Sequence, residues 1–407
     1  MKTKIFLIVS LLVLFSCTNS PKEASDNSKI PYWLTEYSEL YNANPLEASK
    51  AWFQDAKMGM FVHLNLASLC ENGKADYLLW AEGNASDRLI EFVGYTREEY
   101  DNAENKNQLL FDKYTLENLD TDAICQLAVD ANMKYIVLTT THLGRVFNYK
   151  ASHTDFTSLN APVGRDIVAD MLESCEKSGL GFFPYMATEY SITTEDVVDH
   201  HRAVISEMLS QYGPMAGAWF DGIGGYYQHP ENYTDLDKTY EMIRELQPHG
   251  LISFKEGAMC LQDYLSPEHF MLEFDDWKFE DPGMQARWDI RRARWERQSQ
   301  EEWDQCHQYK LREINTVIQE CYNRDNTHVP SGWINDESAR HLDADELYYL
   351  LEYARHCGSN LNINIGPRPD GSIHPDDVTA LTALGEKIDN EGWPEIVHEI
   401  PVLQKKF

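Results

Sequence analysis

Six apolar runs along the chain close on side chains that can move protons, attack as nucleophiles or grip hydroxyl groups. These are His63, His142, Tyr185 with the nearby Glu189, Asp221, Lys255 followed by Glu256, and the pair Asp275 and Asp276. The sharpest is GAWFDGIGG at 217–225, in which a strand-like stretch runs straight into the Asp221 carboxylate and then into glycines. One such residue alone is ordinarily a satisfied structural group. Six at equivalent places point to a shared pocket, because burying that many polar groups without a ligand is costly. Hydrolysis of a sugar linkage needs two carboxylates flanking the glycosidic bond, one attacking the anomeric carbon and one protonating the leaving oxygen. Asp221 suits the attacking place.

The runs that carry these residues are MGMFVHL (58–64), YIVLTT (135–140), GFFPYM (181–186), GAWFDG (217–222), LISFK (251–255), HFMLEFDD (269–276) and NLNINIG (360–366). Each has strand length and is rich in Ile, Val, Phe or Leu. Between them lie helical patterns with acidic starts and glycine stops, such as GRDIVADMLESCEKSG and EDVVDHHRAVISEMLSQYG. Alternating strands and helices build a parallel sheet. Seven strands, with an eighth not placed, predict a (β/α)8 TIM-like barrel, whose active-site face lies at the C-terminal ends of the strands. Residues 283–325, dense in charge and Trp, read as helical cover for the barrel or one rim.

Other chemistries find little support. GIGG at 222–225 is too short for a dinucleotide fingerprint, and His63-Leu64-Asn65 lacks the second histidine of a metal-dependent barrel hydrolase. No metal and no cofactor are expected. His200 and His201 sit in a helical pattern beside Asp199 and Arg202 and read as a solvated face. Of the tryptophans able to stack on sugar faces, Trp219, Trp288, Trp295 and Trp333, the last, beside Gly332, is the one placed at a pocket rim.

Lys2 and Lys4 precede the apolar run Ile5 to Phe15, which ends in LFSC. This reads as a signal peptide over 1–16, with a bacterial lipobox that makes Cys17 a lipidated first residue. Residues 17–30 then form a flexible tether and 31–407 the catalytic barrel domain. The protein is accordingly expected as an exported bacterial lipoprotein, periplasmic or at the cell surface, membrane-anchored through Cys17. The net charge of −31 argues against nucleic acid or anionic lipid as a partner. At 43% hydrophobic and 12% aromatic, the chain can bury a large core. Seven scattered cysteines besides Cys17, without a Cys-x-x-Cys pair, do not suggest a disulfide framework or a zinc ribbon.

From about residue 50 to 380 the chain resembles the α-L-fucosidases of glycoside hydrolase family 29. WFQDAKMGMFVHLNLAS resembles the family's opening strand, YIVLTTTHLGRVFNYKASHTDF its second histidine motif and GRDIVADMLESCEKSGLGFFPYM the following helix and strand. WFDG resembles the nucleophile motif and GSNLNINIGPRPDGSIHP the closing strand and loop. The resemblance implies Asp221 as nucleophile, His63 and His142 as holders of sugar hydroxyls, and Tyr185 as a pocket wall. DYLSPEH (263–269) is similar to the stretch with the family's acid/base, which implies Glu268; Glu256 is the alternative. Lys255 stands where the family has an arginine.

The departures fall on sugar-binding positions. A family His-Trp pair is His63-Leu64 here, paired histidines before Asp-Gly-Phe become His142-Leu143-Gly144-Arg145, and Lys255 lacks an arginine's planar fork. The usual C-terminal β-sandwich is absent from the pattern. The expectation is a retaining exo-glycosidase of α-L-fucosidase type, acting on glycans by double displacement. The alternatives are a related glycosidase with non-fucose specificity and a catalytically degenerate glycan-binding lipoprotein. A simple measurement separates these readings from a metal-dependent hydrolase: chelation is expected to leave hydrolysis of a cleaved glycoside unchanged, and its loss would restore the metal reading.

Overall fold

The computed structural model describes residues 30–187, 195–221, 236–255, 261–271, 277–280, 282–295, 309–322 and 328–399. The signal peptide, Cys17 and most of the tether, together with Glu189, Glu256, Asp275 and Asp276, lie outside the described residues. Eleven strands follow in chain order: β1 (Met58–Val62), β2 (Tyr135–Thr141), β3 (Gly181–Ala187), β4 (Gly217–Asp221), β5 (Leu251–Phe254), β6 (Tyr264–Leu265), β7 (Leu311–Val317), β8 (Gln319–Tyr322), β9 (His328–Gly332), β10 (Arg340–His341) and β11 (Asn360–Ile365). Eight of them close a parallel barrel in the order β1-β11-β7-β6-β5-β4-β3-β2. β1 completes it by pairing with β2 on one side and β11 on the other. The remaining three form an antiparallel sheet, β10-β8-β9, that the apolar runs do not announce.

Two expectations are corrected. The run at 269–276 does not supply the sixth strand, which lies earlier, at Tyr264–Leu265. Pro267 cannot donate to a ladder, and His269 takes a left-handed backbone (φ 67°), so the chain turns there. Phe270 and Met271 then pack into the outer core. The stretch 283–325 is not helical throughout: a helix spans Pro282–Trp295, and the missing barrel strand is β7, LREINTV. Its polar residues hide it from an apolar criterion. Glu313 and Asn315 point into the barrel, where they find partners, while Ile314 joins the outer core.

Side chains alternate across a strand, and this period of two divides the core. Met60, Val62, Ile136, Leu138, Phe182, Phe220, Ile252, Ile314 and Ile363 face outward and pack beneath the helices. Phe61, Tyr135, Val137, Phe183, Tyr185, Trp219, Leu251 and Tyr264 face inward. The N-terminal end of the barrel is plugged by the helix Pro45–Ala56, which starts on Pro45 and is capped by Asn44 accepting the Glu47 N–H at 3.3 Å. Its Trp52 stacks on Phe183 at 6.3 Å, and Phe53 meets Tyr264 at 4.6 Å between ring centres. Glycine makes room for this aromatic floor: a Cβ on Gly59 would lie 2.1 Å from the Tyr135 ring.

Above the floor sits Glu313, fully buried, accepting hydrogen bonds from Tyr135 Oη at 2.6 Å and Trp219 Nε1 at 3.2 Å. Burial pushes its carboxyl up to about 7 against the opposing pull of those donors. Among the described residues no helix is long and apolar enough to cross a membrane. Because Phe53 is 1% exposed and closes the barrel floor, Phe53→Ala is expected to cost about 3–5 kcal/mol of stability, read from denaturant unfolding. A loss below about 1 kcal/mol would mean that the plug is not part of the core.

Candidate active site

The inward phase of the barrel delivers side chains to the C-terminal face. Phe61 is followed two residues on by His63, Phe183 by Tyr185, Trp219 by Asp221, Ser253 by Lys255, Glu313 by Asn315 and Asn362 by Asn364. Glu268 joins them through a parallel bridge to Asn315, with His269 N–H donating to Asn315 O at 2.7 Å and Asn315 N–H to Pro267 O at 3.0 Å. These groups meet at a cavity of about 320 Å³ lined by His63, His142, Tyr185, Asp221, Lys255, Glu268 and Trp333, together with Phe61, Lys74, Trp219, Asn315 and Ile334.

Asp221, the last residue of β4, divides its two oxygens. Oδ2 accepts from the Tyr185 hydroxyl at 2.7 Å, and Oδ1 lies 2.7 Å from Lys255 Nζ. The same ammonium sits 2.8 Å from Glu268 Oε1. Placed end to end, the two contacts allow these carboxylate oxygens a separation of at most about 5.5 Å, short of the roughly 6.5–9.5 Å that inverting glycosidases leave for a water. All three side chains are largely enclosed, with 15–25% of their surface open. Burial, and next the neighbouring Asp221 carboxylate, holds the Tyr185 hydroxyl well above its usual range, so it is a hydrogen-bond donor.

His63 and His142 meet edge to face, 5.4 Å between ring centres. Asn364 donates its Nδ2 to Trp333 O at 2.8 Å, so its Oδ1 accepts from His63 Nδ1–H at 2.5 Å. This fixes the tautomer and leaves His63 Nε2 as an acceptor. Burial, and then the proximity of His142, pushes the His63 imidazole down to about 3. Burial likewise lowers His142 to about 4, and its Nδ1 is shut away from solvent without a hydrogen-bond partner.

Apolar surface completes the walls. Tyr185 stacks on Trp219 at 5.2 Å, and Trp333, held by the β8–β9 hairpin, faces His63 at 5.2 Å. Trp288 packs in the outer core instead, and the Trp295 side chain is outside the described ones. A larger cavity of about 900 Å³ adjoins, sharing His142, Tyr185 and Asp221, and it is there that Arg145, His200 and His201 lie. His200 is exposed, and His201 is half-buried. A possible metal-ligand grouping among the described residues, His341, His374 and Asp376, lines neither cavity.

Reading the apolar runs misses Lys74, Asn315 and Asn364. The asparagines leave a signal, since Asn360, Asn362 and Asn364 repeat with period two in a strand otherwise Leu and Ile, and Asn315 shares its face with Glu313. Lys74 leaves none, because it reaches the cavity from the separate helix Gly73–Ala81.

Residues 35–392 match the family described as alpha-L-fucosidase. Among solved structures, the chain is similar to alpha-L-fucosidase isoenzyme 1 from Paenibacillus thiaminolyticus, with a TM-score of 0.62 and 18% identity over 89% of this chain and 80% of that one. It is also similar to alpha-L-fucosidase AlfC from Lactobacillus casei in complex with its alpha-L-fucose product, with a TM-score of 0.55 and 22% identity over 84% and 99%. The Thermotoga maritima alpha-fucosidase in complex with fucose gives 0.59 and 19% over 85% and 76%. At these identities the structures establish a shared barrel fold. No curated protein matches by sequence.

The two depressed histidines make a stability prediction. Unfolded imidazoles titrate near 6.5, so between that pH and about 4 the unfolded chain binds protons that the folded one refuses. Their contribution is therefore complete above pH 6.5 and lost as pH falls toward 4. A His63→Asn/His142→Asn double variant is expected to lack this loss, so its stability relative to the parent improves by on the order of 3 kcal/mol per histidine, about 6 kcal/mol together, from pH 7 to pH 4. Comparison with the parent cancels the opposite contribution of Glu313. Parallel pH curves in urea unfolding would overturn the neutral-imidazole assignment.

Proposed function

This chain belongs to the alpha-L-fucosidase family, matched over residues 35–392, and from that premise we propose that it is a retaining exo-glycosidase acting on glycans. The observation that carries this reading is the pair Asp221 and Glu268, at most about 5.5 Å apart in one cavity at the C-terminal face of the barrel. In the first step Asp221 Oδ1 attacks the anomeric carbon. The protonated Glu268 gives its proton to the leaving oxygen, the glycosidic bond breaks and a glycosyl ester forms on Asp221. In the second step Glu268, now ionised, takes a proton from water, whose oxygen attacks the same carbon and releases Asp221. The Tyr185 hydroxyl orients the nucleophile through Oδ2.

Neutral His63 and His142 suit sugar hydroxyls, which need donors and acceptors rather than a second cation. Trp333 and Trp219 offer apolar faces. A cavity of about 320 Å³ is at the small end of ligand sites, which favours one terminal sugar, and the family match suggests an α-linked deoxy or related hexose. Glu256 remains the alternative acid/base; Glu268 is preferred for its contact with Lys255 across from Asp221. Leu64, Leu143 and Lys255 replace polar or planar groups of the family pattern, so a non-fucose specificity is a second reading, and a glycan-binding lipoprotein without turnover a third. Export and anchoring at Cys17 belong to the proposal and rest on the LFSC stretch.

The test is release of aryl alcohols from α-L-fucosides, α- and β-galactosides and related glycosides by the parent and by Asp221→Asn. One glycoside is expected to be cleaved with the first-formed sugar retaining its anomeric configuration by NMR. Asp221→Asn should lower kcat on the order of 10⁴-fold or more. Inverted product would exclude double displacement. Sugar affinity without turnover in either protein would establish the binding reading.

A further inference from the structure

We propose that Lys255 is a built-in occupant of the reaction site, an ammonium that an incoming sugar must displace before Asp221 and Glu268 can act. The inference rests on the glycosidase reading above. Tyr185 takes Asp221 Oδ2, and the other oxygen, Oδ1, lies 2.7 Å from Lys255 Nζ, which also touches Glu268 Oε1 at 2.8 Å. A linkage ready to be cleaved needs its anomeric carbon against Oδ1 and its leaving oxygen against the Glu268 carboxyl. One ammonium borders both places, and it cannot share them with the sugar.

The backbone fixes which part moves. Lys255 has φ 43°, uncommon for a residue with a Cβ, and its carbonyl accepts from Ser266 N–H at 2.8 Å, tying it to the chain just after β6. The main chain is therefore held, and the flexible four-carbon side chain is what can leave. Arg145, in the adjoining cavity, also takes a left-handed backbone, as does His269 next to Glu268.

Charge explains the resting arrangement. Among the described residues, the titratable groups that line the cavity with the pair are Tyr185, His63, His142, Lys74 and Lys255. Tyr185 and both histidines are uncharged near neutral pH, and Lys74 stands exposed at the rim. Among the described residues, Lys255 is the cation in contact with both carboxylates, which repel each other. While it lies between them it favours both as ions, a state in which Glu268 has no proton to give. When a neutral sugar takes its place, two like charges so near favour uptake of one proton from solvent. Protonated Glu268 with ionised Asp221 is the state the first step needs, and the positive charge that then develops at the anomeric carbon arises where the ammonium had been. Displacement therefore couples sugar binding to arming of the acid.

The experiment compares the full chain with Lys255→Met and Lys255→Arg, using the aryl glycoside cleaved best in the panel. The kcat/KM profile reports the free enzyme and the kcat profile the complex. In Lys255→Met the alkaline limb of kcat/KM is expected to move up by about one pH unit and KM to fall severalfold, while the alkaline limb of kcat stays in place. Lys255→Arg should restore the parental limb. Both limbs moving together would mean that the lysine stays between the carboxylates throughout. A raised KM with neither limb moving would make it an ordinary sugar ligand. Either result overturns displacement.

If the parent cleaves nothing, the glycosidase reading fails by itself, and the charge argument is still read by melting temperature. Lys255→Met should melt progressively lower than the parent from pH 5 to pH 8, and Lys255→Arg should not. An equal offset at every pH would overturn Lys255 as the counter-charge.

Discussion

Two carboxylates brought within about 5.5 Å in a largely enclosed cavity repel, and the Lys255 ammonium lies against both of them. Each other feature of the pocket is consistent with that balance. The imidazoles of His63 and His142 are held neutral by burial, so they add no second positive charge, and the Tyr185 hydroxyl donates to Asp221 Oδ2 while Lys255 lies 2.7 Å from Oδ1. A compact ammonium on a flexible stem can bridge two single oxygens and withdraw.

The barrel turns a simple alternation into that geometry. Each strand end places its inward residue at the rim, so residues far apart in the chain, from His63 to Asn364, become neighbours without any local motif joining them. The lower layers keep the upper one in place: Trp52 and Phe53 fill the floor, Glu313 holds Trp219, and Trp219 carries the stacked Tyr185 whose hydroxyl meets Asp221. A fully buried carboxyl in the middle of this column is costly unless its oxygens are used. Tyr135 and Trp219 use them, which explains how β7 can be both charged in sequence and central in space.

Much of the architecture is legible in the residues. The runs at 58–64, 135–140, 181–186, 217–222, 251–255 and 360–366 all become barrel strands, because six short runs of Ile, Val, Phe and Leu separated by amphipathic helices have few other ways to bury both faces. The two misplaced strands fail for opposite reasons. HFMLEFDD is apolar because Phe270 and Met271 pack outside the barrel, and LREINTV looks like surface because Glu313 and Asn315 face inward. Apolarity reports burial against protein, and it cannot say on which side of a strand the burial occurs.

By itself the sequence determined the barrel class, the strand-end position of Asp221, His63, His142, Tyr185 and Lys255, and the kinship with a family of fucosidases. Periodicity and strand-end chemistry are local properties, and a single chain displays them. Only the tertiary structure decided that Glu268, indicated in the sequence by family resemblance, lies across from Asp221, that Lys255 joins the two, that Asn315 lines the cavity and that Asn364 holds His63. Those facts depend on the closure and register of the barrel, which bring residues from distant strands to within a hydrogen bond of each other. No spacing along the chain encodes such a distance.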